Sequence, residues 1–238
     1  MIPISKDDPF TFCCSAKVSC FNQCCRDLNQ FLTPYDILCL KNYLGMTSGE
    51  FLERYTTQHT GPETGLPVIA LKPKDALNLE CPFVTKRGCS VYQARPSSCR
   101  MYPIARAITR SRETGKISEH FALLKEPHCH GFEQEKTQTV KQWIKNQKIA
   151  GHNKMNDMLM EIISQKNHTC PGSLDIKSSH FFYIALYDLD RFRSHILEKG
   201  LLNDFHLDTD TLKAIKNDDV ELLKLGHRWI KQVIFNDY

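Results

Sequence analysis

Residues 81–103 read CPFVTKRGCSVYQARPSSCRMYP. Cys81, Cys89 and Cys99 punctuate this stretch, with seven and then nine residues between them. CPFV and CSVY flank the turn TKRG, which predicts a small hairpin or tight knuckle around Cys81 and Cys89. Upstream lie Cys14, Cys20, Cys24 and Cys25, and downstream Cys129 stands in PHCHGF. Eight thiols gathered into about half of a 238-residue chain are more than a core asks for. Soft thiolate sulfur is what zinc and iron–sulfur clusters select, so the set predicts a metal centre.

The spacing does not name the metal. It is neither the paired C-x2-C of zinc ribbons nor the compact ferredoxin run. Cys24 and Cys25 are adjacent, and successive side chains diverge along helices and strands. The pair is therefore expected either to face two metals or to serve one multi-iron cluster. Three cysteines stand apart. Cys13 could replace Cys14, Cys39 falls inside an amphipathic helix and reads as core, and Cys170 precedes Pro171 in a loop.

The neighbours suit an anionic centre. Four thiolates around zinc, or around an oxidised cubane, carry about two negative charges. Arg26, Arg87, Arg95 and Arg100 all lie within six residues of a candidate ligand. Arg95 and Arg100 are the pair expected to offset that charge and donate to sulfur from just outside the centre. His128 and His130 flank Cys129, as ligands, as hydrogen-bond donors or as surface histidines. Tyr92 and Tyr102 stand near Cys89 and Cys99, either walling the centre or simply packing.

The bulk composition narrows the setting. The 41% of hydrophobic residues supports an ordinary core, so crosslinks are not needed for folding. The net charge of +4, from 31 basic and 27 acidic side chains, contains no block dense enough for nucleic acid. MIPISKDDPFTF lacks the basic and apolar regions of a secretory signal, and no apolar run is long enough for a bilayer. A cytoplasmic protein with reduced thiols and no membrane or nucleic-acid partner is expected. Neither a P-loop nor a GxGxxG fingerprint is present.

Residues 1–12 read as extended. In LTPYDILCLKNYLG, Thr33 caps a helix, Pro34 opens it, Asp36 meets its dipole and Gly45 stops it. Thr47 and Glu50 have capping-box spacing for a second helix. Residues 59–65 read as a loop and LPVIALK as a strand. IARAITR and HFALLKE predict two strands joined by the polar connection SRETGKISE. From Glu133 the composition turns helical. FFYIALYDLDRFRSHILEKG reads as one strong helix with Phe182, Leu186, Leu189 and Ile196 on a stripe. Asp188 and Asp190 beside Arg191 and Arg193 then form a solvated face. Helices are also expected near 208–216 and 219–235, and Trp143 and Trp229 are expected to pack helices.

The fold class is α+β, mainly α. An irregular cysteine-rich half with short strands or hairpins around a metal centre spans 1–132. A helical region spans 133–238, and the two share one core or form two domains.

CFNQCC, LTPYDILCLKNYLG, CPFVTKRGCSVYQARPSSCRMYP and CHGF together resemble the YkgJ-type zinc- or iron-chelating family with its CxxCxxCC-like signature. The resemblance covers about residues 10–132, and the helical remainder is similar to the extension of a longer bacterial subgroup. It implies eight metal ligands at Cys14, Cys20, Cys24, Cys25, Cys81, Cys89, Cys99 and Cys129. Five residues separate Cys14 from Cys20, a departure from the short CxxC opening. A similar pattern occurs in flagellin lysine N-methylases, which implies an iron–sulfur centre.

Three functions follow as expectations. The first is a metal-binding protein whose iron–sulfur or iron centre serves redox or accessory chemistry. The second is a structural zinc protein whose helices bind a protein partner. The third is a protein-modifying enzyme distantly like those methylases.

Overall fold

A computed structural model describes every residue except 27, 76, 112, 203, 204, 206 and 236–238. In chain order the elements are β1 (Ile2–Ile4), β2 (Pro9–Thr11), β3 (Phe31–Leu32), α1 (Pro34–Leu44), α2 (Ser48–Tyr55), β4 (Thr56–Thr60) and β5 (Pro67–Leu71). Next come β6 (Val84–Thr85), β7 (Gly88–Cys89), α3 (Ser97–Met101), β8 (Ile104–Arg110), β9 (Ile117–Leu123) and β10 (Thr137–Thr139). The rest is helical: α4 (Val140–Asn146), α5 (Ala150–Thr169), α6 (Ile176–Leu186), α7 (Leu189–Leu197), α8 (Thr209–Asn217) and α9 (Asp219–Trp229). The class is α+β, mainly α.

The chain forms two compact units, each drawn from two stretches: Met1–Leu28 with Lys74–Gly151, and Asn29–Pro73 with His152–Tyr238. The units thus interleave in sequence, whereas the expected division was one cut near Gly131.

In the first unit β1, β9 and β8 form an antiparallel sheet in that order. β8 and β9 pair from Ile104↔Leu123 to Arg110↔Ile117, the expected hairpin. β6 pairs with β7 around the TKRG turn, also as expected. β10 pairs with β2, so residues 137–139 are a strand where helical composition was read. Thr139 then caps α4 through the Gln142 N–H. The core gathers Phe10, Phe12, Met101, Ile104, Phe121 and Trp143. Trp143 meets Phe12 edge-on at 5.6 Å and donates to the Met101 carbonyl at 3.0 Å. It also meets Phe10 of β2 edge-on at 6.1 Å, so it packs a strand's phenyl ring as well as closing a polar contact.

The second unit holds α1, α2, the β3-β5-β4 sheet and most of the later helices. Both expected caps form. The Thr33 hydroxyl accepts from the Asp36 N–H while the Asp36 carboxylate accepts from the Thr33 N–H. Thr47 and Glu50 repeat the exchange. The 59–65 loop is shorter than read, because β4 runs on to Thr60 and pairs with β5. The helix read over FFYIALYDLDRFRSHILEKG is two, α6 and α7, broken at Tyr187 and Asp188. All four stripe residues are nevertheless buried, since the break keeps the apolar side inward.

Asp190 does not lie on a solvated face. It accepts from Lys41 at 3.3 Å, from Arg193 at 3.0 Å and from the Ser48 N–H at 2.6 Å. Asp219 accepts from Lys41 at 2.8 Å and also from Arg193. Asp188 accepts from the Ser48 hydroxyl at 2.7 Å. Charges from α1, α7 and α9 thus meet in one cluster.

His227 in α9 is buried, and its Nδ1–H donates to the Leu223 carbonyl at 2.7 Å. Burial pulls its pKa down to about 4. A depressed histidine pKa contributes stability above the unfolded value near 6.5 and loses it as pH falls toward the folded value. Between pH 7 and pH 5 this one group is expected to remove about 2 kcal/mol of folding stability. Urea unfolding across that range, compared with His227→Leu, measures it; an unchanged slope in the variant would count against the assignment. Among the described residues no helix is long and apolar enough to cross a membrane.

Candidate metal centre

Cys14, Cys20, Cys24, Cys25, Cys81, Cys89, Cys99 and Cys129 all fall in the first compact unit, together with Cys13. Cys39, in α1, and Cys170 belong to the second. Cys39 and Cys170 thus fall in the other unit, and Cys13 in the same unit as the eight.

Local structure sets each thiol in place. Asn22 adopts a left-handed conformation (φ 68°) and turns the chain into a short 3-10 helix over Gln23–Cys25. In that tight turn the Cys24 and Cys25 sulfurs stand 4.0 Å apart. The expected divergence of adjacent side chains does not separate them. The Cys81 N–H donates to the Cys25 carbonyl at 2.8 Å, which ties the first cysteine run to the second. Cys89 ends β7, across from Val84, and Cys99 sits in α3. Gly88 before it has φ 114°, a conformation that suits glycine, with Phe21 packed where a Cβ would point. Cys129 packs against the edge of the core, as do Tyr102 and Phe132. The turn after it is pinned twice: His130 N–H donates to Cys20 Sγ at 3.2 Å, and the Gly131 carbonyl accepts from Cys13 N–H at 3.0 Å.

The electrostatics divide the thiols into two neighbourhoods. Burial, then Cys24, Cys20, Cys129 and Cys13, push the Cys14 thiol up to about 11. Cys25 is raised because its thiol donates to Cys24, with burial and the nearby Cys81 and Cys99 adding. Cys24, on the accepting side, is lowered to about 7. Burial raises Cys81, against the N–H groups of Phe83 and Val84 and together with Cys89 and Cys24. Burial raises Cys89, against the Val91 N–H and the Arg95 charge. Cys14, Cys20 and Cys129 therefore keep one company, and Cys25, Cys81, Cys89 and Cys99 another. Cys24 borders both.

Among the described residues no three His, Cys, Asp or Glu side chains are already close enough to hold a metal ion. The donor set nonetheless suits a soft metal, with four thiols available to each neighbourhood once Cys24 joins Cys14. Two thiolates on one tetrahedral zinc lie about 3.8 Å apart, given Zn–S bonds of about 2.3 Å. The 4.0 Å between Cys24 and Cys25 is close to that.

The arginines differ. Arg95 lies 3.8 Å above the Tyr92 ring, donates to the Tyr92 carbonyl and reaches Gln147 Oε1. Cys99 and Cys89 are within its field. Arg100 donates to the backbone carbonyls of Arg95, Gln147 and Gln93. It braces the segment that presents Cys99. Gln147, which the sequence reading passed over, serves both arginines. A polar side chain just past a helix gave no local signal of that role.

His130 pairs with Glu133 at 2.9 Å and His128 approaches Glu126 at 3.6 Å. Both histidine side chains thus lean on carboxylates. The Tyr102 hydroxyl is buried, and burial followed by the neighbouring Cys129 sulfur raises its pKa. Tyr92 is exposed and serves as the platform for Arg95.

No curated protein and no solved structure matches the chain. The family described as "Putative zinc- or iron-chelating domain", with the signature CxxCxxCC, matches residues 13–171. That span starts at Cys13, takes in all eight clustered thiols and covers more than half of the chain. The chain belongs to this CxxCxxCC family of zinc- or iron-chelating domains.

Proposed function

We propose that the protein binds metal in two four-thiolate centres, Cys14, Cys20, Cys24 and Cys129 in one and Cys25, Cys81, Cys89 and Cys99 in the other. The observation that carries this reading is the gathering of all eight thiols in one compact unit, in two neighbourhoods that meet at Cys24. Iron–sulfur or iron centres in a redox or accessory role are the first reading, because eight thiolates exceed the needs of a single zinc. Such a centre would supply one-electron chemistry. The chain's own residues hold the thiols, set Tyr102 beside Cys129 and place Arg95 near Cys89 and Cys99. A reducing compartment such as the cytoplasm keeps the thiols available.

The 4.0 Å sulfur spacing favours a second reading, in which the ligands divide differently, Cys24 and Cys25 share one of two zinc ions that crosslink the unit, and a protein partner uses the rest of the surface. Metal analysis of anaerobically purified protein decides between them. Iron with sulfide and a brown colour is the expected result. Colourless protein with two zinc ions would replace the first reading with the second, and metal-free protein would sink both. Cys24→Ser and Cys129→Ser are each expected to lower occupancy of the first centre, and Cys89→Ser that of the second.

A further inference from the structure

More than adjacency in the chain holds Cys24 and Cys25 together. Asn22, left-handed at φ 68°, turns the backbone into the short 3-10 helix Gln23–Cys25, and its side-chain amide donates to the Thr85 carbonyl of β6 at 3.0 Å. Within the turn the Gln23 N–H donates to the Cys20 carbonyl at 3.0 Å and the Cys25 N–H to the Asn22 carbonyl at 3.1 Å. The Cys25 carbonyl accepts from the Cys81 N–H at 2.8 Å. The turn is thus fastened at both ends to residues 81–85. It presents two sulfurs 4.0 Å apart, with Cys24 exposed and Cys25 half-buried. A disulfide bond is about 2.0 Å long, so side-chain rotation has only about 2 Å to close. The other adjacent pair differs. Cys13 and Cys14 lie just past β2 and outside any helix or turn, with the Cys13 N–H held by the Gly131 carbonyl.

We propose that Cys24 and Cys25 are a reversible redox site, which closes to a disulfide by exchange with a low-molecular-weight disulfide. In the first step the exposed Cys24 Sγ bonds to one sulfur of the reagent. The reagent's S–S bond breaks, and one thiol leaves with the Cys24 proton. In the second step Cys25 Sγ bonds to Cys24 Sγ, and the other thiol leaves with the Cys25 proton. The two cysteines lose two electrons and the reagent gains them. Adjacent Cα atoms are about 3.8 Å apart, below the span of about 4.4–6.8 Å usual for disulfides. The closed pair is therefore strained and easily reduced again, as a regulatory disulfide must be. Closure also withdraws one donor from each proposed centre at once, a consequence that rests on the metal-binding reading above.

The test treats the full chain, reduced and freed of metal by a chelator, with oxidised glutathione, then with an alkylating agent. Trypsin and chymotrypsin, cutting after Phe21 and Arg26, isolate residues 22–26, which contain Cys24 and Cys25 and no other cysteine. The expected peptide is unalkylated and two hydrogens lighter than the dithiol, while Cys13 and Cys14 are alkylated. Cys25→Ser should stop at a glutathione adduct on Cys24. Asn22→Val should slow closure about tenfold, because a β-branched residue resists the left-handed turn. Asn22→Gly, free to adopt that turn, should keep most of the rate. The oxidised chain should take up less zinc than the reduced one, and dithiothreitol should restore the difference. A 22–26 peptide that stays alkylated, or closure as fast in Asn22→Val as in the native chain, would overturn the redox site. Equal zinc uptake by the oxidised and reduced chains would overturn its link to metal. A reduced chain that takes up no zinc would instead overturn the metal-binding reading and leave the disulfide result standing.

Discussion

Gly131→Ala is expected to cost about 2–3 kcal/mol of stability and to weaken metal binding at the neighbouring thiols about tenfold. A Cβ at this position would lie 2.4 Å from the Phe12 ring, well inside any tolerated approach. Phe12 has little room to yield. It is 2% exposed and meets Phe132, Trp143 and Tyr102 edge-on at 5.1, 5.6 and 5.9 Å. The strain must therefore move the 129–131 turn. That turn carries Cys129, the N–H that reaches Cys20 and the carbonyl that holds Cys13. Denaturant melts measure the first effect, and zinc titration against a competing chelator the second. Gly49→Ala is the control: its Cβ would meet nothing within 4 Å, so little or no loss is expected. If the two variants melt alike, the packing of Phe12 against Gly131 is not as described.

Lys41→Met should cost about 3 kcal/mol at neutral pH. Lys41 and Arg193 balance Asp190 and Asp219 in a cluster where the lysine side chain is only 6% exposed. Removing the lysine leaves one carboxylate charge without a balancing cation. Burial alone would raise both aspartates, but the Ser48, Lys41 and Arg193 donors outweigh it and hold them below the usual carboxylate value. Groups depressed in this way stabilise the fold above the unfolded pKa of about 4, and the contribution fades as pH falls through the folded value. The penalty of Lys41→Met should thus be largest above about pH 4 and shrink on further acidification, as the unbalanced carboxylates take up protons. Urea unfolding of both proteins from pH 7 to pH 3 tests this; a penalty that grows on acidification would contradict the network.

What the sequence disclosed follows the range of the interactions involved. The caps at Thr33 and Thr47 and the β8–β9 hairpin are made by residues close in the chain, so their signals are local and readable. β10 is polar and its strand character comes from β2, at the far end of the first unit. Local composition could not show that. The break at Asp188 was hidden for a similar reason. The apolar stripe continues across it, and the Ser48 hydroxyl that engages Asp188 is contributed by another helix. The aspartate cluster read as surface because Lys41 and Ser48 are remote in sequence. Among the thiols, the number of candidates was legible, but how they keep company was not. The closeness of Cys24 to Cys25 depends on the left-handed turn at Asn22, which spacing alone does not reveal.

The interleaved course of the chain also bears on biosynthesis. Cys14, Cys20, Cys24 and Cys25 leave the ribosome early, and the chain then makes residues 29–73 of the other unit before Cys81 appears. Cys129 arrives later still. The proposed group of Cys25, Cys81, Cys89 and Cys99 is complete only once residue 99 is made, and the group that needs Cys129 only after more than half the protein has been made. The early thiols must stay reduced while they wait, and metal delivery becomes a late step of maturation. Nascent chains arrested before Cys81 are accordingly expected to take up less zinc than the finished protein.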